Sequence, residues 1–281
     1  KPEIATGSPG DVNSFARDVI GSLGGPVVLV TSDGDLGVPS GLQEETVTKI
    51  LNDPFIVAWF TQNLEDVKFH EKLKAIPIGL DLHTPVKKGR GPRTKIRMFR
   101  EFREKSVRAE DRIFRIWSDV HLEQDLGDMM QLFPKDLGKP GAALFSARVE
   151  LRNAIERGEL THTVDTPSDR LPLEKIWERY GQYFFVISLP GHGLDCHRTW
   201  EALAMGATVI TIHSPLDALL EKYRVVFLDR QSDDSEWWTP MGSDEWLTLA
   251  AQSVRSHTQL DLDWNAWIQP MKALLNSSRN N

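Results

Sequence analysis

The chain of 281 residues contains a single cysteine, Cys196, so it cannot form an internal disulfide, and an oxidising compartment would add no covalent support to its fold. It also lacks any apolar run of about eighteen residues, which excludes a membrane-spanning helix within this sequence. Both absences favour a soluble, cytoplasmic protein. Because the chain starts at Lys1 rather than at Met, an N-terminal anchor ahead of it stays open.

Charge is unevenly distributed along the chain. The net charge is −7, yet residues 87–115 carry twelve Lys/Arg against four Asp/Glu. Apolar residues recur there at helical spacing, at Ile96, Phe99, Phe102 and Val107, which predicts an amphipathic helix with a basic outer face. Such a face is either simply solvated or attracts an anionic ligand. Nucleic acid is not an expected partner, because no aromatic residues interleave with these cations in a base-stacking pattern and the whole chain is acidic.

Short β-rich runs alternate with helical stretches along the sequence. Strands are predicted at 26–31, 56–60, 74–79, 113–117, 162–165, 183–188, 208–212 and 224–228. Helices are predicted at 43–51, 64–73, 147–157, 171–180 and 195–205. Continuous apolar strands separated by helices are typical of parallel sheets. Because the pattern restarts after the basic segment, we predict an α/β fold of two facing Rossmann-like halves, residues 1–110 and 111–281, with the ligand cleft between them.

The most informative segment is 183–211, where a β-rich run, a Pro-Gly-x-Gly turn, a short helix and a second β-rich run follow one another. Its candidate ligand-binding residues are Ser188, Gly191, Gly193, His197, Arg198 and Glu201. The N–H groups of a helix N-terminus, glycines that permit close approach and an adjacent Arg suit an anionic ligand such as a phosphate. A carboxylate one turn further on, that of Glu201, suits a sugar hydroxyl.

This segment resembles the signature of the exostosin-like glycosyltransferases, roughly Ser-Pro-x-Gly-x-Gly-x-Asp-x-His-Arg-x-Trp-Glu-Ala-Leu. The matching residues are Ser188, Pro190, Gly191, Gly193, Asp195, His197, Arg198, Trp200, Glu201, Ala202 and Leu203. The sequence departs from the family at Leu189, and weaker similarity extends through 76–84 and 146–152. The resemblance implies a GT-B glycosyltransferase that binds a nucleotide sugar in its C-terminal half and a glycan or glycoprotein acceptor in its N-terminal half. It favours a UDP-sugar donor, with xylose as the first candidate sugar, and an inverting transfer.

Under this interpretation Arg198 binds the donor diphosphate and Glu201 a sugar or ribose hydroxyl. Arg148 and Arg152 lie one turn apart at the start of a predicted helix, where GT-B enzymes often present a basic residue to the donor phosphates. Each of these residues also has a structural alternative. Arg198 could form a salt bridge with a neighbouring acid, Glu201 could pair with Arg198, His197 could be a satisfied core residue, and the two arginines on the earlier helix could lie on its surface.

The catalytic base is expected from the N-terminal half, because inversion requires a carboxylate or His to take the proton of the attacking hydroxyl. Asp33 and Asp35 follow the first predicted strand, and Asp81 and His83 follow the third, which are the strand ends where parallel sheets place their ligands. Asp35 and Asp81 are the leading candidates. Either could instead be a turn residue, since Asp-Gly pairs favour turns.

Asp33-Gly-Asp35 also matches the Asp-x-Asp pattern that binds a divalent metal in GT-A glycosyltransferases. Two acids alone do not make a site for a hard cation, so no metal or other cofactor is expected and the UDP-sugar is a co-substrate. Two further classes stay open. One is a metal-dependent phosphoesterase or nucleotidyl enzyme that uses Asp33, Asp35, Asp81 and His83; the other is a catalytically silent glycan-binding module.

Overall fold

The computed structural model describes residues 10–32, 34–82, 91–119, 140–191, 193–230, 236–260 and 265–279. Nine α-helices lie in these ranges: α1 (Gly10–Asp18), α2 (Glu44–Asn52), α3 (Pro92–Glu104), α4 (Pro140–Glu156), α5 (Leu173–Gln182), α6 (His197–Ala204), α7 (Asp217–Leu220), α8 (Asp244–Ser253) and α9 (Asn265–Arg279). Eight β-strands lie there as well: β1 (Val27–Thr31), β2 (Ile56–Thr61), β3 (Leu73–Ala75), β4 (Ile113–Trp117), β5 (Val164–Asp165), β6 (Tyr183–Ile187), β7 (Thr208–Ile212) and β8 (Val225–Leu228). None of the helices in these ranges is both long enough and apolar enough to span a bilayer.

The strands form two sheets in which every neighbouring pair is parallel. The N-terminal sheet has the order β1-β2-β3, and the C-terminal sheet has the order β5-β4-β6-β7-β8. Because β5 and β6 lie on opposite sides of β4, the chain winds outwards from β4 in both directions, as in a Rossmann-like sheet. The predicted α/β class with parallel sheets is thus confirmed. Sheets of this topology bind ligands at the switch point, here the carboxyl ends of β4 and β6.

The C-terminal sheet is buried on both faces. Phe185 and Ile187 of β6 pack in a cluster with residues of α4 and α8, whereas Val186 between them packs with residues of α5 and α6. Successive strand residues point to opposite faces of a sheet, so a strand covered on both sides must be apolar at every position. This requirement explains why β6 is an uninterrupted apolar run.

The N-terminal sheet is covered by α1 and α2 on one face and by the C-terminal helix α9 on the other. Trp59 of β2 packs in the cluster that includes both N-terminal helices, and its neighbour Phe60 packs in the cluster that includes Trp267 and Met271 of α9. The first and the last described helices therefore pack on opposite faces of the same sheet.

Helix α3 confirms the predicted amphipathic basic helix. Its Phe99 is fully buried and meets Trp177 of α5 edge-to-face, with 5.0 Å between the ring centroids. Arg93, Arg97 and Arg100 are exposed on the opposite face. This packing places α3 in the core beside the C-terminal sheet; the domain boundary near residue 110 stays a prediction.

The helix predicted at 64–73 is wrong, because turns occupy residues 64–72. The carboxylate of Asp66 accepts the main-chain N–H of Lys68 at 2.7 Å, and Nδ1 of His70 accepts that of Lys72 at 3.1 Å. Short polar side chains that bond to nearby main-chain N–H groups compete with the helix for them. The spacing of apolar residues in this segment gives no information about these side-chain hydrogen bonds, and the helix prediction therefore failed.

Arg112, immediately before β4, holds three main-chain carbonyls together. It donates to the carbonyls of Tyr180, Tyr183 and Met205 at 2.6–3.1 Å. Burial lowers the pKa of its guanidinium to about 10, and the nearby charge of Arg224 adds to the effect.

We expect Arg112→Met to lower the free energy of unfolding by roughly 2–4 kcal/mol, because the three carbonyls lose their common donor. Urea unfolding followed by tryptophan fluorescence measures the change.

A matched control is Arg108→Met, since the side chain of Arg108 is 76% exposed. This surface substitution should change the unfolding free energy by no more than about 0.5 kcal/mol. If the two variants had equal stability, Arg112 would not be a structural anchor of the C-terminal sheet.

Candidate functional site

The loop between β6 and α6 is built around Arg148 of α4. Arg148 donates from Nε to the carbonyl of Pro190 at 2.6 Å and from Nη2 to that of Leu189 at 2.9 Å. This arrangement favours glycine at position 191, because a Cβ there would clash with Nη2 of Arg148 at a distance of 2.6 Å. Burial lowers the pKa of this guanidinium. The structure therefore brings Arg148, predicted as a second phosphate-binding residue beside Arg198, under the loop, whereas Arg152, one helical turn further on, is half-buried on α4.

Arg198 forms an ion pair at the switch point of the C-terminal sheet. Its Nε lies 2.7 Å from Oδ1 of Asp119, whose side chain is only 7% exposed, and the hydroxyl of Tyr180 donates to Oδ2 of the same carboxylate at 3.3 Å. Burial lowers the pKa of the Arg198 guanidinium, but the interactions with Asp119 and Tyr180 raise it by more. The net effect is a raised pKa. The salt-bridge alternative is thus realised. An anionic ligand at Arg198 would share it with Asp119.

Two other predicted donor-site residues bond across element boundaries. The hydroxyls of Ser188, after β6, and Thr199, on α6, are 2.8 Å apart and buried. Nδ1 of His197 lies 2.8 Å from the carbonyl of Gly79. Because a carbonyl only accepts, this nitrogen carries the proton. His197 therefore links the start of α6 to the segment that follows β3.

Asp195, just before α6, is buried between the two sheets at 4% exposure. Its Oδ2 accepts the N–H of Ile78 at 2.7 Å, and its Oδ1 accepts the indole N–H of Trp200 at 2.7 Å and the N–H of Cys196 at 2.9 Å. Its own N–H donates to Oδ1 of Asn63 at 2.8 Å. Burial raises the pKa of this carboxyl to about 7 in spite of the three donors.

Glu201 is the second buried carboxyl of the site, with 4% exposure. Its Oε1 accepts the main-chain N–H of Asp81 at 3.3 Å. Burial raises its pKa to about 7; the carboxylate of Asp81 adds to the rise, while the indole of Trp177, the Asp81 N–H and the charge of Lys95 oppose it. Glu201 thus contacts the segment after β3, and the sugar hydroxyl that the resemblance implies stays a prediction.

Lys95 of α3 completes this group, and sequence reasoning missed it. Its side chain is 1% exposed, and Nζ lies 2.8 Å from the carbonyl oxygen of Asp81 and 3.4 Å from Oδ2 of the same residue. A usable signal was present, because Lys95 lies four residues before Phe99 and therefore on the apolar stripe of its helix. The prediction of a basic outer face placed every cation of the segment in solvent, so it did not identify Lys95 as a buried residue.

Asn63 ties the end of β2 to two loops. It adopts a left-handed backbone conformation with φ of 53°, and its Nδ2 donates to the carbonyl of Gly34 at 2.8 Å. The side-chain amide of Gln62 donates to the same carbonyl at 2.7 Å. A Cβ on Gly193 would lie 2.9 Å from the Asn63 amide, so the β6–α6 loop approaches closely here. Asp35, in the loop held through Gly34, is exposed.

The structure gathers most of the predicted site residues around the start of α6. They are Arg148, Ser188, Gly191, Gly193, His197, Arg198 and Glu201, joined by Asp81 from the N-terminal half. Asp33 and His83 lie outside the described residues, so their roles stay predictions. Within the part of the chain that the structure describes, no group of three or more His, Cys, Asp or Glu side chains is placed to hold a metal ion.

Comparison with known proteins adds nothing to this geometry: no protein-family model matches the sequence, and no curated protein matches it significantly. The exostosin-like resemblance of residues 188–203 therefore stays a prediction. What the site can do is inferred from the contacts described above and from that resemblance.

Gly193→Ala tests the close approach of the β6–α6 loop to Asn63. We expect it to lower the free energy of unfolding by roughly 1–3 kcal/mol, because a methyl group 2.9 Å from the amide forces one of the two chains to shift. Gly24→Ala is the control, since a Cβ there meets nothing within 4 Å. Equal stability of the two variants in urea would contradict a fixed contact between loop and Asn63.

Glu201→Gln tests the burial of this carboxyl through pH dependence. The pKa of Glu201 is raised from 4.5 to about 7 in the folded protein, so its contribution to stability is fully present below pH 4.5 and is lost as the pH rises through 7. Gln resembles the protonated form and does not ionise. The variant should therefore gain stability relative to the parent protein as the pH rises from 4.5 to 8. Asp195 titrates in both proteins, so the difference isolates Glu201.

The measurement is urea unfolding at pH steps across this range. Glu45→Gln, which removes a carboxylate that is 77% exposed, is the matched control and should show a flat difference from the parent protein. A flat difference for Glu201→Gln as well would contradict a desolvated carboxyl at this position.

Proposed function

We propose that the chain is an inverting GT-B-type glycosyltransferase that transfers a sugar from a UDP-sugar to a glycan hydroxyl. The observation that carries the proposal is the direct bonding of residues at the start of α6 to the segments that follow β2 and β3. Asp195 bonds to Asn63 and Ile78, and His197 bonds to Gly79. Two parallel sheets whose ligand-binding ends approach one another support the GT-B arrangement that the resemblance implies.

The donor diphosphate fits the N-terminal end of α6. Helix N-termini attract anions, and this one lies at the switch point of the C-terminal sheet. Arg198 contacts Asp119 through Nε and also interacts with Tyr180, and its guanidinium carries further N–H donors that suit phosphate oxygens. Arg148 supports the loop that forms the floor of this position. These groups supply the positive potential that stabilises a departing UDP, and they do so without a metal ion.

The acceptor binds on the side of the N-terminal sheet, where Asp35 and Asp81 are the candidate bases. In the proposed step the carboxylate takes the proton of the acceptor hydroxyl, and the hydroxyl oxygen attacks C1 of the donor sugar. The bond from C1 to the diphosphate oxygen breaks, and UDP leaves with the electron pair. Attack from the face opposite the leaving group inverts the configuration at C1. Asp81 is the better supported candidate because its position is held by both Glu201 and Lys95.

Nucleotide binding tests the donor site. We expect UDP and UDP-sugars to raise the melting temperature in the presence of EDTA, because a ligand that binds only the folded state stabilises it by RT ln(1 + [L]/Kd). A panel of nucleoside diphosphates and UDP-sugars, with and without manganese, identifies the donor. Stabilisation by no nucleotide would contradict the proposal and leave a glycan-binding module. A strict requirement for manganese would contradict the metal-independent donor site.

Arg198→Met paired with Asp119→Asn separates binding from folding. The double variant removes both charges of the ion pair together, so neither Arg198 nor Asp119 is left as a buried charge without the other, and the protein is expected to stay folded. Its affinity for UDP should fall at least about tenfold, since a desolvated charge-assisted contact contributes 1.4 kcal/mol or more. Isothermal titration calorimetry measures the change, with Arg97→Met, which replaces a 74% exposed cation, as the control. Unchanged UDP affinity in the double variant would remove Arg198 from the donor site.

A further inference from the structure

Lys95 is the only lysine buried among the described residues, although Arg93, Arg97 and Arg100 on the same helix are exposed. Its side chain is 1% exposed, compared with 74% for Arg97 two residues along the same helix. A buried ammonium group is tolerated only when it is paired and hydrogen-bonded. The groups that bond to the Lys95 ammonium therefore indicate which part of the structure it positions.

Within the part of the chain that the structure describes, the hydrogen bond and the ion pair of Lys95 both go to Asp81. Nζ lies 2.8 Å from the carbonyl oxygen of Asp81 and 3.4 Å from its Oδ2. The N–H of Asp81 is held from a different element, by Oε1 of Glu201 on α6. Asp81 is thus restrained at its main-chain N–H, its main-chain carbonyl and its carboxylate, while its side chain keeps 19% exposure. A carboxylate with a fixed backbone and one accessible edge is placed to meet a ligand.

We propose that Lys95 is a positioning residue that acts through Asp81 to align the base for sugar transfer. The proposal rests on the proposed function. Lys95 is too deeply buried to touch the acceptor, so its effect passes through the orientation of the Asp81 carboxylate. A base that is displaced by about 1 Å loses on the order of a hundredfold in rate, which is the scale of effect available to such a residue. Because the donor diphosphate lies at α6, Lys95 has no part in donor affinity.

The test compares kcat and donor affinity in Lys95→Met, Asp81→Asn and the double variant. The reaction is UDP release from the UDP-sugar that most stabilises the parent protein, in the presence of a mixture of glycan acceptors. We expect Lys95→Met to lower kcat about tenfold to a hundredfold while the Kd for UDP stays within about threefold. In the Asp81→Asn background the same substitution should cause little further loss, since residues that act as a unit are non-additive.

Two controls keep the test decisive. Arg97→Met removes one positive charge from the exposed face of the same helix and should leave kcat unchanged. If Lys95→Met does not fold, Lys95→Gln retains an N–H donor for the Asp81 carbonyl, and the double variant removes both charges together. Circular dichroism and UDP binding establish that each variant is folded before its rate is interpreted.

Each failure has its own signature. A parent protein that releases no UDP from any UDP-sugar overturns the proposed function together with this inference. A parent protein that is active, with Asp81→Asn equally active, leaves the function standing and overturns the role of Lys95. Additive losses in the double variant, or a parallel loss of kcat and UDP affinity in Lys95→Met, would make Lys95 a purely structural residue and would also overturn the inference.

Discussion

The buried carboxyl of Asp195 is the constraint on which the rest of the candidate site depends. It lies where the β6–α6 loop enters the helix, and its oxygens accept N–H groups from Ile78, beyond β3, and from Trp200, within α6. An ionisable group removed from water requires such donors. If the loop moved away from the segment after β3, the buried carboxyl of Asp195 would lose the N–H of Ile78. The N–H of Asp195 is committed to Asn63, after β2. The ends of three strands, β2, β3 and β6, are therefore held at one point.

The cations around this point are held by the protein itself. Arg148 is bonded to the carbonyls of the loop, Arg198 to Asp119, and Lys95 to Asp81. An anionic ligand would therefore find the guanidinium groups already oriented and would lose little free energy in ordering them. It would also have to share Arg198 with a carboxylate, which lowers the gain from each new contact. Such a site favours geometric selectivity over strong attraction for any anion.

The sequence predicts those parts of the fold that depend on local pattern. Strands β6 and β7 are predicted by continuous apolar runs, because a strand buried on both faces has apolar residues at every position. The start of α6 is predicted by the turn that precedes it. The ion pair between Arg198 and Asp119 joins residues 79 positions apart, so only the strand order reveals it. Lys95 was missed for a different reason. Its charge suggested solvent, whereas its position in the apolar stripe indicated the core.

The burial of three side chains refines the role that the resemblance implies for Glu201. Lys95 is 1% exposed and Glu201 4%, whereas the side chain of Asp81 is 19% exposed. Oε1 of Glu201 already accepts the main-chain N–H of Asp81, and a sugar hydroxyl bonded to this oxygen in its place would disturb the segment whose carbonyl accepts from Lys95. Under the proposed function, contact with the ligand therefore falls to Asp81, while Glu201 accepts its main-chain N–H and Lys95 donates to its main-chain carbonyl. In this arrangement the carboxyl of Glu201 first joins α6 to the segment after β3, and under the proposed function it serves the chemistry through Asp81, whose main-chain N–H it accepts.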